Sequence, residues 1–254
     1  MQPPVSNVLS FGRFELVRLL RSWKFLAVTL GFPVTFYMLF LDDRNPAKVV
    51  DGAVPWRVYL MVSMCTFGAL VAGLNAGGTR LSSERATGWA RQLRVTPLPA
   101  WSYVATKVTA SMLVVLPVIV LVEVVGVTFG GVQLGLPIWF ELTALMWVTS
   151  LPFAVLGVFV GYMVRPETAY PVVTVLMFVL GYFGGLFTPV NHMPHALQTA
   201  AQVLPSFHDA SLGLAFLHGQ SLTAEHWLVL VGWAMLLSLI MVWKHNRQES
   251  PSLA

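Results

Sequence analysis

Long apolar runs alternate with short polar segments along almost the whole chain. The runs occupy residues 25–41, 58–79, 108–129, 139–164, 170–188 and 227–243. Each matches or exceeds the roughly 17 apolar residues that a helix needs to cross a bilayer. Six transmembrane helices are therefore predicted. The shortest runs have 17 residues; at about 1.5 Å per residue they span about 26 Å, which leaves little room for tilt. Residues 191–220 are moderately apolar but broken by Pro194, Pro205, His208 and Asp209. A full span there would bury too many polar groups, so this stretch reads as an outward re-entrant segment between helices five and six, made of short helices that dip into the interface or pack on the bundle.

Before the first run, residues 6–24 carry a second pattern. Val8, Leu16, Leu19, Leu20 and Trp23 fall on one stripe of a helical wheel, and Arg13, Arg18, Arg21 and Lys24 lie outside it. This predicts an amphipathic interfacial helix whose stripe enters the headgroup boundary while its basic face meets anionic lipid. Phe11, Phe14 and Val17 depart from the stripe, and the plainer alternative is an exposed leader that orients the first span.

Composition adds a strong constraint. The 254 residues are 56% apolar and 10% charged, whereas soluble domains are about 45–50% apolar and about 25% charged. A soluble fold is excluded. The fold class is all-α, a polytopic membrane protein, with residues 1–254 forming one transmembrane domain. Charge then sets orientation. Of the 15 Lys and Arg residues, 12 fall in the N-terminal segment, the 80–107 connection, Arg165 and the tail. The other three, Arg44, Lys48 and Arg57, flank the opposite side. Positive flanks stay inside, so both termini, including the 245–254 tail, are expected in the cytoplasm. No small-residue cleavage site follows the first run, which reads as an uncleaved span.

The chemistry-bearing motifs are mostly negative findings. The chain has no Gly-x-x-x-x-Gly-Lys-[Ser/Thr] loop to cradle a nucleotide, no Gly-x-Ser-x-Gly elbow and no His-Glu-x-x-His helix. The lone Cys65 has no disulfide partner in the chain. His192 and His195, with His208 further on, lack a nearby carboxylate or thiolate at ligand spacing, so no metal site is expected. Neither a cofactor nor a nucleic-acid partner is expected.

The informative hydrophilic stretch is residues 80–99. Ser82 or Ser83 can cap a helix, Glu84 suits its positive end, and Thr96-Pro97 stops it. The result is a short basic helix, 83–94, bearing Trp89 and Leu93 and ending near the Leu98 corner. Those residues leave two readings open: lipid headgroups, or a groove on a soluble partner.

Glu84-Arg85-x-x-Gly88, then Leu93-x-x-Thr96-Pro97-Leu98 and Tyr103-x-x-x-Lys107, resembles the cytoplasmic segment of permeases of the ABC-2 type, the membrane subunits of certain ATP-binding-cassette exporters. Gly184-Gly185-Leu186-Phe187-Thr188-Pro189, Met193-Pro194 and Leu204-Pro205 resemble the same family's fifth span and outer segment. The Ser206-Phe207-His208 run departs from the family's more Tyr-like, basic sequence there. The resemblance implies a separate ATPase subunit carrying ATP and Mg, and a second permease subunit, identical or similar. It also implies that the 83–94 helix couples the two, through Glu84, Arg85, Gly88, Arg91, Leu93, Thr96, Pro97 and Leu98. In that reading Glu84 meets a group at the rim of the ATPase groove, Gly88 allows close approach and Leu93 adds apolar contact.

Within the spans, Glu123 is the one deeply placed carboxylate and thus a candidate for the substrate pathway; the alternative is that it faces the bundle interior or a wet outer cavity and pairs with a hydroxyl. Gly181, Gly184 and Gly185 either line that pathway or permit close packing near the outer end of span five. Trp56, Trp139, Trp227 and Trp243 sit at span ends as interface anchors. The expected protein is a permease of a bacterial plasma membrane exporting a small amphiphilic drug, antibiotic or lipid. A lipid-linked polysaccharide is the alternative cargo. An intramembrane enzyme lacks a paired catalytic constellation, and an ATP-independent transporter lacks the charged, broken helix pairs of a coupling-ion site.

Overall fold

The computed structural model describes residues 23–41, 49–50, 54–86 and 100–249. The predicted interfacial helix up to Ser22, most of the 83–94 helix and the last five residues lie outside them. Apolar runs become helices because in hydrocarbon every backbone group must bond within its own segment. Helix α1 covers Trp23–Phe40, α2 Trp56–Leu74, α3 Arg80–Ala86 and α4 Ala100–Thr128. Then follow α5 (Leu136–Thr149), α6 (Leu151–Met163), α7 (Pro166–Phe183), α8 (His195–Ala201), α9 (Pro205–Leu217) and α10 (Ala224–Glu249). The fold is all-α, as expected; in the connection after α1, β1 (Val49–Val50) and β2 (Val54–Pro55) form a short two-stranded antiparallel ladder with Val50 opposite Val54.

Five helical stretches among the described residues are long and apolar enough to cross a membrane: Trp56–Glu84, Val104–Thr128, Leu136–Met163, Pro166–Phe183 and Ala224–Lys244. They coincide with predicted spans two to six. The shorter apolar stretch Thr29–Phe40 lies on the predicted first. Span two runs further than its hydropathy suggested. A π-helical turn, Asn75–Thr79, joins α2 to α3 without a break, so the helix reaches Ala86. Ser82 therefore does not start a new helix, contrary to expectation; its hydroxyl donates back to the Thr79 carbonyl at 2.9 Å, as in a helix interior. Span four, in contrast, is two helices. Pro152 has no N–H to continue the ladder, so the chain turns at Ser150 and Phe153 N bonds the Ser150 carbonyl at 2.9 Å.

Helix α2 is the axis of the bundle. Its residues are buried around the full circumference, as expected for a helix apolar on all sides. It packs against α1, α4, α6 and α9. Its span window is 89% buried, compared with 28% for α7 and 22% for α10. Helices α7 and α10 instead turn Tyr170, Val175, Leu228, Met235 and Leu239 outward. Those faces suit acyl chains or another membrane helix.

Glycines bring α2 and α6 into backbone contact. A Cβ on Gly73 would lie 2.8 Å from the Phe153 carbonyl carbon, and one on Gly77 would fall on Val158 N. Across the crossing, a Cβ on Gly157 would meet the Gly73 oxygen and one on Gly161 the Gly77 oxygen. Two glycines four residues apart on each helix thus interlock, the small-residue geometry by which membrane helices approach closely.

The 191–220 stretch folds as a 3₁₀ turn, Val190–His192, followed by α8 and α9. Helix α9 lies against α2, α5 and α10, with Ser206, His208 and Asp209 buried. Its polar residues are thus accommodated by protein, the packed alternative of the two expected.

Candidate functional site

At the α3 end of the bundle, Glu84 turns into the protein. Its side chain is 7% exposed, and Oε2 accepts a hydrogen bond from Lys107 Nζ at 2.6 Å, the lysine being 5% exposed. Its other oxygen, Oε1, is 3.5 Å from Arg80 Nε one turn earlier. The carboxylate is engaged inside the chain, where burial demands a counter-charge and Lys107 on α4 supplies it. Helix α3 carries Arg85 at its end, whereas Gly88, Arg91, Leu93, Thr96, Pro97 and Leu98 lie outside the described residues.

Above this pair is the π turn. Asn75 Nδ2 donates to the Val71 carbonyl at 2.9 Å and lies 3.9 Å from Met177 Sδ on α7. Thr79 Oγ1 donates to the Asn75 carbonyl at 2.9 Å. Side chains thus bond to the carbonyls around the wider turn, and such turns frequently sit at functional positions.

Two further carboxylates among the described residues, Glu123 and Asp209, are buried in the bundle. Glu123 on α4 is buried, with Thr143 Oγ1 of α5 at 2.6 Å from its Oε2 and at 2.8 Å from the Trp139 carbonyl. Asp209 on α9 is fully buried, and its Oδ2 accepts the Thr66 hydroxyl hydrogen at 2.6 Å. One oxygen of each, Glu123 Oε1 and Asp209 Oδ1, has no hydrogen-bond partner. Glu123 thus meets a hydroxyl, that of Thr143 on the neighbouring helix α5.

The glycines at the end of α7 all have local roles. A Cβ on Gly181 would lie 3.0 Å from Phe187 and 3.2 Å from Phe67. At Gly184 it would fall on Ser206 Oγ, whose hydroxyl donates to the Leu180 carbonyl at 2.6 Å. Gly185 has φ +80°, a conformation that glycine adopts freely. Its carbonyl accepts the Tyr59 hydroxyl of α2. Nearby, Phe36 packs against Phe67 and Phe187 with centroids 5.6 and 5.3 Å away.

His192 and His195 do not join His208. Instead His208 Nδ1 lies 2.7 Å from His226 Nδ1 on α10, and its Nε2 lies 2.7 Å from the Gln202 carbonyl. Among the described residues no group of three or more His, Cys, Asp or Glu residues is arranged to hold a metal.

Sequence reasoning missed Lys107 as Glu84's partner, and Thr66 with Asp209. Asp209 was flagged only as a polar interruption; an acid inside a moderately apolar stretch was the available signal. The Gly-x-x-x-Gly pairs at 73 and 77 and at 157 and 161 were also legible in the apolar runs.

A bundle of long apolar helices around a buried α2 defines a multi-pass membrane protein. The family model described as "ABC-2 family transporter protein" matches residues 45–243. The chain belongs to that family. It is also 29% identical over 238 residues to the Bacillus subtilis (strain 168) protein named "Putative transport permease YvfS", covering 93% of this chain and 96% of that protein. The chain is thus a transport permease subunit, and its family implies an ATPase partner.

Proposed function

We propose that this permease exports a small amphiphilic molecule, such as a drug, antibiotic or lipid, across a bacterial plasma membrane, driven by a separate ATP-hydrolysing subunit. Six spans with both termini inside, an interfacial helix at 6–24 and an outward re-entrant segment at 191–220 form its membrane domain. Two permease chains, identical or similar, enclose the pathway, and Glu123 with the Gly181, Gly184 and Gly185 turn shapes its outer half. ATP and Mg bind the partner subunit.

The observation that carries this reading is the unbroken helix from Trp56 to Ala86. It runs from the most buried part of the bundle directly into the segment that resembles the family's coupling region. A helix without a break transmits displacement along its axis, so movement imposed on 83–94 reaches the packed core around α2.

The test is to purify the chain from its own cells, to ask whether a Walker-motif ATPase co-purifies, and to follow export of a hydrophobic cationic dye from those cells. Co-purification with faster dye loss supports the proposal. Loss of a surface polysaccharide on deletion, with dye export unchanged, would transfer the cargo to the glycan class. Failure to retain any ATPase would refute the coupling scheme.

A further inference from the structure

We infer that Glu84 and Lys107 form a clasp that closes the base of the cytoplasmic connection, making Glu84 a positioning residue within this chain and not a contact with the ATPase. The inference rests on the coupling role proposed above for residues 83–94. It deepens that role by assigning a function to Lys107 and a different one to Glu84.

The placement carries the argument. Glu84 is near the end of α3, just before the connection leaves the described residues, and Lys107 lies in the second turn of α4, just after the chain returns. The two are 23 residues apart in sequence, yet their charged atoms are 2.6 Å apart and their side chains 7% and 5% exposed. Arg80 shares the other oxygen, 3.5 Å away, so the carboxylate is held from two helices. A carboxylate buried in this way has little surface to offer a soluble partner. It can instead fix where the 87–99 connection starts relative to where it ends.

Energetics favour such a device over a merely stabilising pair. A buried ion pair adds little net stability compared with an apolar pair of similar size, but removing one partner strands the other as an uncompensated charge. Selection for stability alone would be met by apolar residues at both positions. An ion pair has directional donors, and so fixes a register between α3 and α4 that apolar side chains would leave free to slide.

The experiment compares Glu84→Gln, Lys107→Met and the double variant Glu84→Gln/Lys107→Met, each purified as the full permease with its ATPase and reconstituted in liposomes. ATPase co-purification, ATP hydrolysis and cargo export are read separately. Each single variant should keep the ATPase bound yet lose export per ATP by about tenfold, within the usual range of coupling between sites. The double variant, with neither charge stranded, should recover much of the loss. Lys107→Arg, which keeps the charge, guards against a folding defect and should stay near the unmodified ratio.

A direct ATPase contact through Glu84 predicts otherwise. Glu84→Gln would release the ATPase whatever stands at 107, and Lys107→Met would behave as unmodified. That result would overturn the clasp, as would export per ATP unchanged in both single variants. If the unmodified chain retained no ATPase, the coupling scheme itself would fail. The clasp would then be judged by whether protease cleavage in 87–99 rises in each single variant and falls back in the double.

Discussion

Thr66, in the middle of α2, donates its hydroxyl hydrogen to Oδ2 of Asp209 on α9 at 2.6 Å, with both residues fully buried. This bond ties the outer helical segment to the axis of the bundle. Thr66→Val keeps the side-chain shape and removes the donor, leaving the carboxyl with less to bond. A buried polar group stranded in this way costs about 1–3 kcal/mol. The melting temperature of the purified protein in detergent should fall accordingly, while Thr66→Ser, which restores the donor, should lie between the two. A Thr66→Val protein as stable as its parent would show that the bond contributes nothing to the fold.

Gly157 and Gly232 give opposite expectations for the same substitution. In an open helix, Gly→Ala stabilises by about 0.8–1.0 kcal/mol through helix propensity. Nothing lies within 4 Å of a Cβ at Gly232, so Gly232→Ala should be neutral or slightly stabilising. At Gly157 the added carbon falls on the Gly73 carbonyl oxygen, and backbone on both sides prevents relief. There the expected loss is about 1–3 kcal/mol or more, the cost of overpacking a tight core. Yield of monodisperse protein and its melting temperature would measure both. Equal behaviour of the two variants would remove the α2 and α6 crossing as a determinant of the fold.

These contrasts show what the sequence carried and what it did not. Spans two to six were legible because a membrane helix must be apolar for its whole length, a requirement local enough to read by eye. The end of span two was not. Hydropathy stops near Thr79, but the π turn and the Lys107 partner let α3 continue past Arg80 to Ala86. The break in span four was written in Pro152, yet an apolar run hides a turn within it. Pairings such as His208 with His226 and Glu84 with Lys107 depend on which helices meet, and a residue pattern along one helix does not reveal that. Hence the family and the membrane character were readable, and the partners of the buried charges were not.

The proposed orientation rests on the division of Lys and Arg between alternate loops, 12 against three. The native Cys65 is buried, so single introduced cysteines can be read against a quiet background. Gln220, exposed in the turn before α10, should react with a membrane-impermeant maleimide in intact cells. Glu167, at the start of α7, and Ser252, in the tail, should react only after the membrane is opened. Reaction of Ser252 from outside would invert the topology proposed here.

His208 and His226 join α9 to the first turn of α10 through facing Nδ1 atoms 2.7 Å apart. Only one hydrogen fits between two such nitrogens. The Gln202 carbonyl, 2.7 Å from His208 Nε2, can only accept, which places a hydrogen on that nitrogen. A neutral His208 therefore accepts at Nδ1, and His226 donates. Asp209, next to His208 in sequence, is directed to Thr66. Replacing each histidine by Ala, singly and together, should give a coupling of about 0.5–3 kcal/mol in melting experiments at neutral pH, because the second substitution removes little that the first has not. Strictly additive histidine substitutions at neutral pH would show that the two rings are neighbours without a bond.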